Sequence, residues 1–353
     1  MTSPSAASPL VPPDTPARAP HLLTLIALSA VSPLAINIVV PALPGLQRVF
    51  QADYATVQLA LSLYLLTFAL AQLIVGPLSD RYGRRPVVLG GLVVFAVGSA
   101  LCVAAPTIEV LIVGRIVQAL GGSAGIVLAR AIVRDLHERD RAAAVIGYMT
   151  TGMAMAQMAG PAVGGLLDEK VGWQAIFWLL MVASILVFIV CLKDLVETNR
   201  YRGQTIGVSA LIKGYKTLLA HPVFLSHAAT ATFASAVYFA FMGGAPYIAT
   251  ELMGLTPSVY GLYFIFVAGG YAIGNFISGR RAQAYGIARM ITLGNVLALA
   301  SIGLSAALLW VGLVHPLTLF VPMFIASIAN GITLPSAVAG AVSARPDLAG
   351  AAS

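Results

Sequence analysis

The feature that most constrains this sequence is a series of long uncharged runs, separated by short turns that carry the charges. The longest run extends over 55 residues, from Met290 to Ala344, without Asp, Glu, Lys or Arg. Of all residues 59% are hydrophobic and 9% are charged, whereas about 25% are charged in a typical soluble domain. Because so little polar surface could face water, the sequence predicts an all-α polytopic membrane protein.

A helix needs about 20 apolar residues to cross a bilayer. Cutting the chain at charges, prolines and glycine-rich turns predicts ten spans. The ninth and tenth are divided only at His315-Pro316, because 55 residues are too many for one span. The predicted spans are His21–Leu43, Val57–Leu78, Val87–Ala105, Glu109–Ile132, Ala142–Leu167, Val171–Leu192, Pro222–Ile248, Pro257–Gly279, Met290–Val314 and Pro316–Ser343.

The positions of the basic residues predict the orientation. With the N-terminus in the cytoplasm, 17 of the 20 Lys and Arg residues fall on the inner side. Arg48 and Lys170 fall outside, and Arg115 lies within a span. An excess of Lys and Arg marks cytoplasmic loops. The sequence therefore predicts a multi-pass protein of the cell (inner) membrane with a cytoplasmic N-terminus.

The spans divide the chain into four parts. Residues 1–20, rich in Pro, Ser and Ala, predict a disordered cytoplasmic tail. Residues 21–192 hold six spans, residues 193–221 form a cytoplasmic linker, and residues 222–353 hold four spans. The linker is either an amphipathic helix on the membrane face or an ordinary connection. Apolar linker residues at helical spacing are Val208, Leu211, Ile212, Tyr215, Leu218 and Leu219.

The second half weakly repeats the first. LIVGPLSDRYGRRPVVLGG (73–91) and YAIGNFISGRRAQAYGIARMITLG (271–294) both turn through arginine and a Tyr-Gly pair. Two related halves are typical of secondary transporters. The second half is 40 residues shorter than the first, which is about two spans. We therefore expect ten helices of a twelve-helix architecture, truncated at its C-terminus.

Four stretches resemble motifs of the major facilitator superfamily. GPLSDRYGRRP (76–86) matches its signature G-x-L-x-D-R-x-G-R-[RK], and LIVGRIVQALGGSAG (111–125) is similar to L-x-x-x-R-x-x-Q-G-x-G. AQMAGPAVGG (156–165) is similar to the antiporter motif G-x-x-x-G-P-x-x-G-G, with Ala156 in the first Gly place. Together with PALP (41–44) and LARAIVRDL (128–136), they most resemble the Bcr/CflA drug-resistance branch of drug/proton antiporters.

The first motif is a candidate gate. Gly83 permits a turn that most residues could not make, and Asp80 can accept bonds from helix-start amides and pair with a neighbouring arginine. The arginines either only enforce topology or, as the resemblance implies, form a latch that breaks when the halves rock. The gating residues are Gly76, Asp80, Arg81, Gly83, Arg84 and Arg85.

The third motif is a candidate hinge. Pro161 bends its helix, while Gly160, Gly164 and Gly165 allow another helix to approach closely. These residues serve either generic helix packing or, as the resemblance implies, an interface that favours exchange over leak.

Arg115 is the only permanent charge within a span, and such a charge is a functional candidate by default. It either faces a central cavity or pairs with a polar partner, and Gln118 lies on the same helix face.

Asn37 occupies a place where the branch often has an aspartate, so no mid-membrane carboxylate remains. Asp53 is the nearest acid, and His227 could titrate. Proton coupling is thus implied by the resemblance alone.

The predicted substrate and proton path comprises Asn37, Arg115, Gln118, Gln157, Tyr238 and Asp53. Flexible Met and aromatic side chains suit a permissive apolar cavity. The remaining predicted wall residues are Gln58, Tyr64, Met149, Met153, Phe239, Phe241 and Met242.

The resemblance implies secondary active efflux of drugs or other small amphipathic compounds by proton-coupled antiport. The alternatives are an importer of a small metabolite and a truncated, non-transporting remnant. The sequence has no nucleophile–base pair, metal-ligand spacing or G-x-x-x-x-G-K-[ST] motif, so we expect neither an enzyme nor a cofactor. The expected partners are a small-molecule substrate, protons and the lipid bilayer, with no nucleic acid, and the expected state is a monomer.

Overall fold

The computed structural model describes residues 19–199 and 216–344, and this part of the chain is helical without strands. In lipid every backbone polar group must be bonded internally, which a helix achieves within one segment. A short turn at Val40–Ala42 separates the first two helices. The helices are α1 (Leu22–Ile38), α2 (Leu43–Phe50), α3 (Tyr54–Tyr82), α4 (Arg84–Val103), α5 (Ile108–Leu136), α6 (Arg139–Lys170), α7 (Gln174–Asp194), α8 (Pro222–Tyr247), α9 (Pro257–Tyr285), α10 (Ile287–Trp310) and α11 (Pro316–Ala344).

The predicted all-α membrane fold is confirmed. Within the described ranges, nine segments are long and apolar enough to cross a membrane, counting α1 and α2 as one span, Leu22–Phe50. The remaining long helix, α6, has 32 residues and corresponds to the fifth predicted span. It is less apolar because Thr150, Thr151 and Gln157 lie along it, and it packs on α1 and α9.

The helices pack in two groups. In the first, α5 packs on α3 and α4, α7 packs on α4, and α6 packs on α1. In the second, α11 packs on α8, α9 and α10. The main helix contact between the groups is that of α6 with α9. We refer to α1–α7 as the first half and to α8–α11 as the second half.

The weak sequence repeat corresponds to a repeat of structure. Helices α3 and α9 each have 29 residues, and each begins at a side-chain cap, Asp53 or Thr256, that accepts a bond from a backbone amide. Each ends at a glycine with positive φ, 103° at Gly83 and 78° at Gly286, and both glycines have ψ of 154°. The same backbone turn therefore connects α3 to α4 and α9 to α10.

Two predictions fall partly or wholly on residues that are not described. The tail prediction covers residues 1–20, of which 1–18 lie outside the described residues, and the linker pattern includes Val208, Leu211, Ile212 and Tyr215. Of the remaining linker positions, Leu218 is buried and Leu219 is exposed. The amphipathic helix and the tail stay predictions.

We expect Gly286→Ala to destabilise the second half. At φ 78° and ψ 154° the backbone is in a region open essentially to glycine alone, so a side chain there costs about 1–3 kcal/mol. Gly279→Ala is the matched control, because a methyl group at that helical position meets no atom within 4 Å. Thermal unfolding in detergent would compare the two variants. Equal midpoints would contradict the assigned turn.

Candidate functional site

Arg115 lies two turns into α5 and is 1% exposed. Its Nε donates to the carbonyl of Ala60 on α3 at 3.2 Å, and its Nη1 donates to the carbonyl of Ala35 on α1 at 3.1 Å. The guanidinium carbon lies 4.0 Å from the centroid of the Tyr64 ring. One buried side chain thus holds α1, α3 and α5 together.

Gln118 is the polar partner predicted for Arg115. Arg115 Nη1 donates to Gln118 Oε1 at 2.5 Å, and Gln118 Nε2 donates to the hydroxyl of Ser99 on α4 at 2.8 Å. Both side chains are enclosed within the first half. Tyr64, a predicted wall residue, is enclosed with them, and its hydroxyl is hydrogen-bonded to the Ser32 hydroxyl at 2.5 Å.

Asn37 and Tyr238 come from different halves and meet directly. The Tyr238 hydroxyl donates to Asn37 Oδ1 at 3.0 Å, while Asn37 Nδ2 donates to the carbonyl of Pro33 in its own helix at 2.8 Å. Asn37 is 1% exposed. The structure therefore brings two of the predicted path residues together at the boundary between α1 and α8.

Gln58 lies at the same boundary. Its Nε2 donates to the carbonyl of Gly243 on α8 at 2.9 Å, and the Tyr54 hydroxyl donates to the same carbonyl at 2.7 Å. Tyr54 also packs on Tyr247, with ring centroids 4.8 Å apart. Two side chains of α3 thus hold one backbone carbonyl of the second half.

Among the described residues, the side chains of Asp53, Gln157 and His227 make no bond to this boundary network. Asp53 caps α3, where the Thr56 amide donates to its carboxylate at 2.6 Å and holds the pKa of Asp53 below its usual value. Gln157 is half-buried on α6, and no described residue bonds to its side chain. His227 packs against Gly340 within the second half. Their predicted roles stay predictions.

The other predicted wall residues differ in burial. Met149, Phe241 and Met242 are buried, whereas Met153 and Phe239 are half-buried. Their contact with a substrate stays a prediction.

The glycine motif of α6 contacts both halves. A side-chain carbon at Gly164 would overlap the carbonyl of Ile38 on α1, and one at Gly165 would overlap the carbonyl of Pro257 on α9. At Gly160 it would lie 3.1 Å from Asn37 Cβ. Because these glycines have no side chain, α6 can approach α1 with one face and α9 with another. We call this contact of α6 with α1 and α9 the seam.

Charged residues join the two halves beside the seam. Arg48 Nη1 lies 2.9 Å from Glu251 Oε1, in the π-helical segment Ile248–Leu252 that continues α8. The Ser258 hydroxyl at the start of α9 donates to Glu169 at the end of α6. Both contacts lie at the predicted outer end of the helices.

The candidate gating loop lies at the opposite end. Asp80 and Arg84 form an ion pair with Oδ1 and Nη1 2.5 Å apart, and Arg84 Nε lies 3.2 Å from Asp135 Oδ2 at the end of α5. The predicted pairing of Asp80 with an arginine is thus present. Arg81 lies over the Tyr82 ring, and a side chain at Gly76 would meet open space.

The helix-start amides predicted to bond to Asp80 bond to Glu197 instead. The Arg84 amide donates to Glu197 Oε1 at 2.8 Å, and the Arg85 amide donates to Oε2 at 3.2 Å. Asp80 lies in the last turn of α3, whereas the residue that precedes α4 is Gly83, which has no side chain that could cap the helix. A carboxylate from the segment after α7 therefore neutralises this helix start.

The rest of that segment also holds the gating loop. Asn199 Nδ2 donates to the carbonyl of Asp80 at 2.9 Å, and the Thr198 hydroxyl donates to Asp135 Oδ2 at 3.0 Å. Sequence reasoning missed Glu197, Thr198 and Asn199, because they follow the sixth span and nothing local marks them. The one available indication was that these three residues follow α7 on the same predicted side of the membrane as the gating loop.

We expect Gly164→Ala to disrupt the seam, because the added methyl group would overlap the Ile38 carbonyl. Overpacking of this kind typically costs about 1–3 kcal/mol. Gly147→Ala on the same helix is the control, since its methyl group would meet no atom within 4 Å. The midpoint of thermal unfolding would be measured for both variants. An unchanged midpoint for Gly164→Ala would show that α6 and α1 lie farther apart than described here.

We expect Glu197→Gln to loosen the start of α4, because the amide side chain offers these backbone amides one neutral acceptor instead of a carboxylate. Hydrogen–deuterium exchange of peptides covering residues 79–90 should become faster. Glu138→Gln changes an exposed glutamate at the same end of the protein and should leave this exchange unchanged. The same protection in both variants would refute the assigned cap.

Comparisons with known proteins agree with this architecture. The chain is 32% identical to the uncharacterized MFS-type transporter YdgK of Bacillus subtilis, over 92% of this chain and 82% of that protein. It is 29% identical to multidrug resistance protein D of Escherichia coli, over 94% and 83%. It is also 29% identical to a chloramphenicol resistance protein of Pseudomonas aeruginosa, over 93% and 78%.

Solved structures share the fold. A D-xylose-proton symporter superposes with a TM-score of 0.74 at 14% identity, covering 94% of this chain and 85% of that one. An inward-facing bacterial homolog of the human lysosomal transporter Spinster gives 0.73 at 17% identity, covering 94% and 77%. The sequence matches the family model of the Major Facilitator Superfamily over residues 25–353. Given this match, the shared fold and the similarity to named transporters, the chain belongs to the major facilitator superfamily.

Proposed function

We propose that this protein exports drugs or other small amphipathic compounds by alternating access, in exchange for protons. The observation that carries the proposal is the distribution of contacts between the halves. The described side-chain bonds between them, including Asn37–Tyr238, Arg48–Glu251 and Glu169–Ser258, lie towards one end. Alternating access requires that the two halves contact each other at one end while they can separate at the other.

The opposite end supports the same proposal. There the described bonds of the gating loop run within the first half, from Arg84 to Asp135 and from the start of α4 to Glu197. The loop thus braces the first half as one body, which favours rocking of whole halves over bending of single helices. We assign the described arrangement to the inward-open state.

Export is favoured by the glycine motif and by the relatives. The similar proteins of Escherichia coli and Pseudomonas aeruginosa are named for multidrug and chloramphenicol resistance. The AGPAVGG stretch lies in the seam, where the two halves must separate for the outer end to open. The resemblance to the Bcr/CflA branch supports the same direction of transport.

Protons are the proposed counter-ion, and the carboxylates of the outer end are the proposed carriers. No acid lies in the middle of a span, but Glu251 pairs with Arg48 and Glu169 accepts from Ser258 across the boundary. Neutralising either carboxylate would weaken a contact that holds the outer end closed. We retain the cytoplasmic N-terminus, the inner-membrane location and the monomer as predictions.

A reversible cross-link tests alternating access. We expect Arg48→Cys combined with Glu251→Cys, joined by a bifunctional thiol reagent with a cleavable disulfide spacer, to abolish chloramphenicol efflux, because the outer end could no longer open. Reduction should restore efflux, because the second proposed carrier, Glu169, keeps its contact with Ser258 in this variant. The native Cys102 and Cys191 are buried and should not react with the reagent.

Thr24→Cys combined with Asp194→Cys is the matched control. These residues are bonded at 2.6 Å within the first half, so a cross-link between them should leave efflux intact. Undiminished efflux through the cross-linked outer pair would contradict alternating access at this boundary. Efflux equal to that of cells without the protein would contradict transport itself.

A further inference from the structure

The charges and rings beside the seam point to the compounds that the protein accepts. We propose that it transports uncharged or anionic aromatic compounds and rejects organic cations of the same size. This inference rests on the export function proposed above and concerns the substrate class of the same path. Four observations carry it: the placement of the acids, the surroundings of Arg115, an aromatic cluster, and an unpartnered tyrosine hydroxyl.

Acidic side chains are absent from the interior of the spans. The chain has 13 Asp and Glu residues, and those within described helices lie in a first or last turn, as Asp80, Glu109 and Asp168 do. A cation that leaves water for the middle of the membrane therefore meets no carboxylate. Without a counter-charge, the lost hydration of a cation is not replaced.

Among the described residues the fully buried charge is that of Arg115, which is positive and is not neutralised by an acid. In the described part of the chain, Arg115 bonds only to the carbonyls of Ala35 and Ala60 and to Gln118, and its Nη2 has no partner. In a low-dielectric interior such a charge acts over a long distance. Ala35, which accepts from Arg115, lies two residues before Asn37 in the same helix. The boundary between the halves is therefore within reach of an unbalanced positive charge.

An aromatic cluster lines the second-half side of that boundary. Helices α8, α9 and α11 contribute its rings. The Tyr238 and Phe241 rings each lie 6.4 Å from the Phe264 ring, and the Tyr260 ring lies 6.3 Å from it. Phe320 of α11 lies 6.0 Å from Tyr260. All of these rings except that of Tyr238 are buried here, so they would offer flat apolar surface to an aromatic substrate when the halves part.

Tyr260 adds a hydrogen-bond donor to this cluster. Its side chain is fully buried, and its hydroxyl has no partner among the described residues. A phenol hydroxyl can donate to a carbonyl, nitro or carboxylate oxygen. The cluster thus offers an anion or a neutral acceptor a bond that a quaternary ammonium group could not use.

Aromatic faces can also attract cations, but here two pairs of rings already pack parallel to each other. Phe241 and Phe264 are stacked at 16°, and Tyr263 and Phe320 are stacked at 14°. A cation would have to separate these stacks without a carboxylate to stabilise it. The aromatic surface therefore favours flat compounds without favouring a positive charge.

Transport of dyes with the same ring system tests the inference. Inside-out membrane vesicles containing the full chain would be given a proton gradient and one of three probes: neutral chloramphenicol, the anionic xanthene fluorescein or the cationic xanthene rhodamine 123. We expect chloramphenicol and fluorescein to accumulate, and rhodamine 123 to accumulate about tenfold more slowly than fluorescein, a ratio that corresponds to about 1.4 kcal/mol.

Each outcome decides between the proposals. Accumulation of rhodamine 123 as fast as fluorescein, with chloramphenicol also accumulating, would overturn the inference and leave the export function standing. Failure of all three probes to accumulate above empty vesicles would contradict the export function, and the inference with it.

A charge variant makes the test sharper. Asn37→Asp keeps the size of the side chain and its bond from Tyr238 but adds a carboxylate at the boundary, so it should raise the rhodamine-to-fluorescein ratio about tenfold. Asn275→Asp is the control, because Asn275 likewise bonds to the carbonyl four residues earlier, that of Tyr271, at 2.9 Å. An unchanged ratio in an Asn37→Asp protein that still transports chloramphenicol would contradict the inference.

Discussion

The contact of α6 with α1 and α9 is the constraint on which the rest of this structure depends. Gly164 and Gly165 bring their backbone against carbonyls of Ile38 and Pro257, so one helix is fixed to both halves at once. The polar contacts at that end, such as Asn37 with Tyr238 and Arg48 with Glu251, become possible because the backbones are already close. In lipid, where burial of apolar surface does not drive helices together, such close packing supplies the attraction.

Arg115 extends this constraint into the first half. It bonds to carbonyls of α1 and α3 and reaches α4 through Gln118 and Ser99. The arginine therefore fixes the segment of α1 that presents Asn37 to the second half. Its charge is held by carbonyl dipoles, an amide and a ring rather than by an acid. Arg115 thus combines the packing of several helices with a positive charge that no acid neutralises.

The two halves share a backbone plan but differ in charge. Gly83 and Gly286 make the same turn, yet the first turn is bound by the carboxylates of Asp80 and Glu197. At the corresponding end of α9, Arg280 lies over the ring of Phe276, with its guanidinium carbon 4.4 Å from the centroid. Within the described residues, the loop bound by carboxylates thus belongs to the first half. Both halves share the backbone turn, but they differ in the side chains that bind it.

The sequence by itself determined the helices and the turns between them, because each of these depends on neighbours along the chain. Ten predicted spans correspond to ten long helices, and the Tyr-Gly pairs end α3 and α9 as expected. Only the tertiary structure decided which side chains meet. Glu197 caps a helix start 113 residues earlier, and Tyr238 bonds to a residue 201 positions away. Such pairs depend on how helices rotate and pack, which leaves no periodic signal in either segment.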